Sequence, residues 1–98
     1  MNLFYLKYFV ELAHVRHYTK AAQNLCITQP SLSHAIAQLE NELGVPLFEK
    51  NGRNTTLTRF GREFLVCAEN TLATLDSGVE AARRSAAGEG LIRLGFVR

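Results

Sequence analysis

Leu65, Ala68, Leu72, Leu75, Val79, Ala82 and Ala86 recur at spacings of 3, 4, 3, 4, 3 and 4 residues. A sustained heptad seam of this kind is the signature of a long helix that pairs along its length. With Thr58 as N-cap and the pattern running to about Ala86, the helix reaches about 40 Å at 1.5 Å rise per residue. The rest of a 98-residue chain is too small to cover so long a stripe. The seam therefore predicts pairing with a second copy through Leu65, Ala68, Leu72, Leu75, Val79 and Ala82. Its first turns, around Phe60 and Phe64, are expected to pack on the chain's own core. Arg83 and Arg84, near the end, suit the helix dipole and solubility.

The residues ahead of this helix divide into short elements. Leu3, Leu6, Phe9, Val10 and Ala13 follow helical spacing, which predicts an amphipathic helix over residues 3–14. The run HVRHY breaks that pattern. Thr19 then caps a short helix whose buried side is Ala21, Ala22 and Leu25. Cys26 and Ile27 connect it to a third helix that Thr28 caps. Pro30 falls in the first turn of that helix, where a missing N–H costs nothing. Leu32, Ile36, Leu39 and Leu43 form its apolar stripe, Gly44 supplies the stop, and Pro46 prevents continuation. VPLFEK and NTTLT are short β-prone runs on either side of Asn51-Gly52, a dipeptide suited to a tight turn. Together these are three helices, a two-stranded hairpin and a long final helix. Beyond it, Gly88-Glu89-Gly90 reads as a linker and LIRLGFV as a strand with no sheet to join, the start of a further domain. The expected organisation is thus a mostly α domain over 1–58, a linker and dimerisation helix over 59–87, and a hinge with first strand over 88–98.

Charge is informative through its placement. The formal net charge is only +2, yet no acid lies between Glu11 and Glu40, a span holding His14, Arg16, His17, Lys20 and His34. A second acid-free window contains Lys50, Arg53, Arg59 and Arg62. Two basic windows in a near-neutral chain point to one positive face. The apolar fraction of 47% excludes a disordered chain. Cys26 and Cys67 form no CxxC or Cys/His pattern and read as small buried hydrophobes in a reducing compartment. The N-terminal run is interrupted by Lys7 and Glu11 and has no signal-peptide cleavage pattern, and no run is long enough to span a membrane. A cytoplasmic protein is expected, with no membrane partner.

The third helix carries the most specific signal. Opposite its apolar stripe stand only small or neutral polar groups: Ser31, Ser33, His34, Ala37, Gln38 and Asn41. A solvated helix face normally carries Lys and Glu, whereas a helix in the DNA major groove uses hydroxyl, amide and imidazole groups on base edges or phosphates. Acids arrive only at Glu40 and Glu42, towards the far end. The free N–H groups at the helix N-terminus suit a phosphate, with Thr28, Gln29 and Ser31 placed to help. Gln29, Ser33, His34 and Gln38 are candidates for base edges, and Pro30 for apolar contact with a thymine methyl. Arg53 at the hairpin suits a narrow minor groove, and Lys50 lies close by. Helix, tight connection, neutral polar helix and basic hairpin make a winged helix-turn-helix pattern.

In fixed register the chain carries Ala21-Ala22 with Leu25, Thr28-Gln29-Pro30-Ser31-Leu32-Ser33, Leu39-Glu40, Leu43-Gly44, Leu47-Phe48, Gly52-Arg53, and Leu57-Thr58 with Gly61. On these residues the region from Leu3 to about Leu65 resembles the DNA-binding domain of LysR-type transcriptional regulators. The resemblance implies a bacterial transcription regulator whose winged domain binds inverted-repeat double-stranded DNA and whose linker helix pairs two chains. It also implies tetramers at full length and a separate C-terminal domain that binds a small effector, with no cofactor in the present region. His34 stands where the family often has arginine, and Asn54 where a second basic wing residue is common. Whether His34 meets a base or a phosphate stays open.

Two rival classes are distinguishable. The acid-free recognition face of the third helix argues against a protein-interaction module. An enzyme would need a nucleophile–base pair or a metal cluster, and the sequence displays neither. His14, His17 and His34 lack a Cys, Asp or Glu to complete a metal site and read as surface or packing residues.

Overall fold

The computed structural model describes residues 1–89. Helix α1 spans Leu3–Val15, α2 Tyr18–Leu25, α3 Gln29–Leu43 and α4 Arg59–Glu89, with strands β1 at Phe48–Asn51 and β2 at Asn54–Leu57 between α3 and α4. This is the expected mostly α winged helix-turn-helix followed by a long helix. The strand expected at Leu91–Val97 lies outside the described residues.

Local chemistry sets most boundaries. Asn2 caps α1 by accepting the Phe4 N–H at 2.8 Å. Arg16 closes α1 in the left-handed conformation, at φ 64°. The α2 cap is His17, whose Nδ1 accepts the Lys20 N–H at 3.2 Å, and not Thr19. Helix α2 starts one residue ahead of Thr19, so the threonine hydroxyl is already inside the first turn and cannot cap it. Cys26 ends α2 at φ 60°, and its N–H donates to Ala22 and Gln23 carbonyls. Thr28 caps α3 through the Ser31 N–H, and Gly44 ends it at φ 75°, as expected.

The hairpin turn is displaced by one residue from the expected dipeptide. Asn51 pairs with Asn54, so the two-residue loop is Gly52-Arg53. Gly52 takes φ 67° at the first loop position, a conformation that glycine adopts without a Cβ penalty. Extending the ladder through Asn51 puts Arg53 at the tip.

The core forms where the four helices and β1 converge. Leu6, Phe9 and Leu12 from α1 meet Ala21 and Ala22 from α2, Leu32, Ile36 and Leu39 from α3, Leu47 ahead of β1, and Ala68 from α4. Phe9 sits at its centre, with ring centroids 5.5 Å from Phe48 and 5.4 Å from Phe64. One aromatic side chain thereby packs α1 against both the hairpin and α4. Burying such a ring stabilises the fold by about 1.5–3 kcal/mol.

Helix α4 has two different halves. Ala68 is 1% exposed, and Leu65 and Leu72 pack against the core, so this part of the seam is satisfied within the chain. Leu75 and Val79 are 43% and 40% exposed, and Ala82 is exposed as well. Thr58 caps the helix through the Gly61 N–H at 3.0 Å and donates to the Pro46 carbonyl at 2.6 Å. The helix runs through Gly88 to Glu89, further than the linker expected there. A lone helical glycine costs only about 1 kcal/mol relative to alanine. Both cysteines are free and exposed, which corrects their expected burial.

Candidate nucleic-acid interface

Helix α3 presents two polar strips beside its buried stripe. His34, Gln38 and Asn41 are exposed along one, with Ala37 among them. Gln29, Ser33 and Glu40 follow the other and turn towards the hairpin. Gln29 Nε2 donates to Ser33 Oγ at 3.0 Å, and Thr28 Oγ1 donates to Ser31 Oγ at 2.8 Å. These hydroxyl and amide groups satisfy one another at the surface, and each keeps further capacity for a ligand. Pro30 and Ser31 are exposed in the first turn of α3.

The hairpin faces the second strip. A cleft between them is lined by Gln29, Ser33 and Glu40 from α3, Lys50 from β1, and Gly52 and Arg53 at the tip. Four residues singled out from the sequence, Gln29, Ser33, Lys50 and Arg53, therefore share one concave surface. Thr28, Pro30, Ser31, His34 and Gln38 lie outside that cleft, on the N-terminal turn and outer strip of α3. Asn54 and Tyr18 also line the cleft. Burial, and then the nearby Glu40 carboxylate, raise the Tyr18 phenol above its usual range, so it remains an O–H donor. Tyr18 gives no periodic or charge signal of its own, and only the packing of α2 against α3 brings it here.

Glu40 was also missed as a functional group. Its Oε2 accepts the Leu47 N–H at 2.7 Å and the Phe48 N–H at 3.3 Å. The carboxylate is thus engaged by backbone at the base of β1. On the other strand, the Thr55 N–H donates to the Arg16 carbonyl at 3.0 Å, and Thr55 Oγ1 donates to the Glu49 carbonyl at 3.1 Å. Thr55 is buried and pairs with Lys50, so this strand is anchored one pair back from the cationic tip.

The histidines have separate duties. His14 Nε2 lies 2.8 Å from Glu69 Oε2, linking α1 to α4, while His17 caps α2. Among the described residues no group of three metal-ligating side chains comes together. No described helix is long and apolar enough to cross a membrane.

Comparison with known proteins places this arrangement. The family of bacterial regulatory helix-turn-helix proteins termed lysR matches residues 3–62. The regulator AlsR of Bacillus subtilis is 44% identical over 98 residues, a match covering 99% of this chain and 32% of AlsR. The chain thus spans about a third of the length of that relative, and likewise 32% of BenM from Acinetobacter baylyi, at 42% identity. Among solved structures, the BenM DBD in complex with catB site 1 DNA superposes with a TM-score of 0.86 at 40% identity, covering 91% of this chain and 96% of that one. The CbnR DBD–DNA complex gives 0.83 at 32% identity, covering 88% and 99%.

Proposed function

Because the chain belongs to the lysR family of bacterial regulatory helix-turn-helix proteins, we propose that it is the DNA-binding part of a sequence-specific transcription regulator. The observation that carries this reading is the single cleft that unites Gln29 and Ser33 of α3 with Lys50 and Arg53 of the wing. An α-helix fills a major groove, and a hairpin beside it reaches the flanking minor groove. Thr28, Ser31 and the α3 N-terminus hold register on phosphates, together with Lys50. Gln29, Ser33, His34 and Gln38 read base edges, Pro30 meets a thymine methyl, and Arg53 enters the minor groove. That BenM and CbnR fragments of the same fold have been crystallised with DNA supports the reading.

The operator is an inverted repeat bound by two chains. Leu75, Val79 and Ala82, the part of the seam left open by the core, form the centre of the pairing surface. The full-length protein is a cytoplasmic tetramer whose further domain senses a small effector, and this chain performs no catalysis. Salt titration of duplex binding tests the wing assignment. Arg53→Ala lowers the slope of log K against log salt by about one unit. An unchanged slope would remove Arg53 from the interface.

A further inference from the structure

Glu40 is the first acid after the long acid-free span, and it lies on the same strip of α3 as Gln29 and Ser33. An ionised carboxylate beside a DNA groove repels phosphates, so its presence there needs a reason. The structure supplies one: the carboxylate is spent on the Leu47 and Phe48 amides, at 2.7 and 3.3 Å. These amides lie where the chain leaves the loop after α3 and enters β1. A charge-assisted bond from a helix side chain to that backbone fixes the root of the hairpin to the recognition helix itself. The second anchor, Thr55 N–H to the Arg16 carbonyl, ties the other strand to the end of α1. Among the described residues, the Glu40 carboxylate supplies the side-chain hydrogen bonds between the wing and the element that would read bases, beside the packing of Leu47 and Phe48 on the core.

We infer that Glu40 is the positioning residue of the DNA interface, coupling the wing to the recognition helix so that Arg53 reaches the minor groove when α3 is seated. This rests on the DNA-binding reading above. Glu40 touches no base; it acts through the backbone of Leu47 and Phe48. The consequence is that geometry matters at this position more than charge. Glutamine keeps a carbonyl oxygen at the same reach, whereas aspartate keeps the charge but withdraws it by one methylene.

The test compares Glu40→Gln, Glu40→Asp and Glu40→Ala in two measurements. Amide hydrogen exchange without DNA reports the anchor. The Leu47 amide is expected to stay protected in the wild type and Glu40→Gln, and to exchange faster in Glu40→Asp and Glu40→Ala. Duplex binding across a salt series reports the coupling. Glu40→Asp and Glu40→Ala are each expected to lose about tenfold in affinity and about one unit of salt slope, as Arg53→Ala does. Adding Arg53→Ala to either should cost nothing further, because Arg53 is already out of place. A stability loss alone would leave the slope of the folded fraction intact. Tighter binding by Glu40→Ala, or losses that multiply with those of Arg53→Ala, would overturn the inference. So would unchanged Leu47 exchange, which needs no DNA and is readable even if Glu40→Ala fails to fold, since Glu40→Asp carries the same comparison. Fast exchange in the variants with no duplex binding by the wild type would instead sink the DNA-binding reading and the coupling built on it.

Discussion

Gly61 lies directly against the carbonyl of Leu47, so close that a Cβ on the glycine would overlap that oxygen and stand 2.9 Å from Leu57 Cδ2. The contact seats the first turn of α4 on the backbone that leads into the wing. Thr58 N–H also donates to the Leu47 carbonyl, at 2.9 Å, so the crowded oxygen is committed and cannot move freely. Gly61→Ala is therefore expected to destabilise the fold by about 1–3 kcal/mol. In a domain of this size that lowers Tm by about 4–8 °C for each kcal/mol. Thermal melting followed by circular dichroism measures it. An unchanged Tm would mean that α4 can shift away at no cost.

The tip of the wing offers a separate test. Gly52 holds φ 67° with open space around the position of a Cβ, so Gly52→Ala meets strain in the backbone and no clash. A cost of about 1 kcal/mol is expected from the left-handed conformation alone. Because the turn presents Arg53, duplex affinity should fall with it, beside a drop in Tm of about 4–8 °C. Equal affinity for wild type and variant would separate the turn conformation from DNA binding.

The open half of α4 predicts assembly. Leu75 and Val79 are 43% and 40% exposed in the single chain, whereas Ala68 is almost fully covered by its own core. Replacing both Leu75 and Val79 with Asp places charge in the pairing surface without touching the core. Sedimentation should show the wild type at twice the chain mass and the variant at the chain mass. A variant that remains dimeric would move the interface elsewhere.

His34 separates base reading from phosphate binding. It is exposed on the outer strip of α3, one turn ahead of Gln38. His34→Ala should lose about 1–3 kcal/mol on the preferred duplex and relax the preference at one base position. Equal losses on preferred and scrambled duplexes would assign it to a phosphate.

The reach of the sequence follows the range of the interactions involved. Thr28 and Gly44 bounded α3 because caps act within one turn, and Thr58 opened α4 for the same reason. His17 displaced Thr19 as the α2 cap because imidazole rarely takes that role and only the backbone path shows that it does. Heptad spacing correctly marked α4 as long and amphipathic. Spacing cannot tell a seam facing another copy from one facing its own core, and the core claims Leu65, Ala68 and Leu72. The polar face of α3 and Arg53 were legible from composition because the signal was the absence of acids over many residues. Glu40 was legible only as an acid placed late in the helix. Its bond to Leu47 spans seven residues and a turn, and it depends on how the hairpin folds back.

Selection of bound duplexes from a pool of random sequence tests the central claim most directly. The protein should enrich an inverted repeat whose half-sites are separated by about 10–10.5 base pairs or a multiple. Simultaneous replacement of Gln29 and Ser33 with Ala should blur the preferred bases within each half-site. A pool that remains random after repeated selection, with binding as strong to scrambled as to any chosen duplex, would contradict sequence-specific recognition by α3 and its wing.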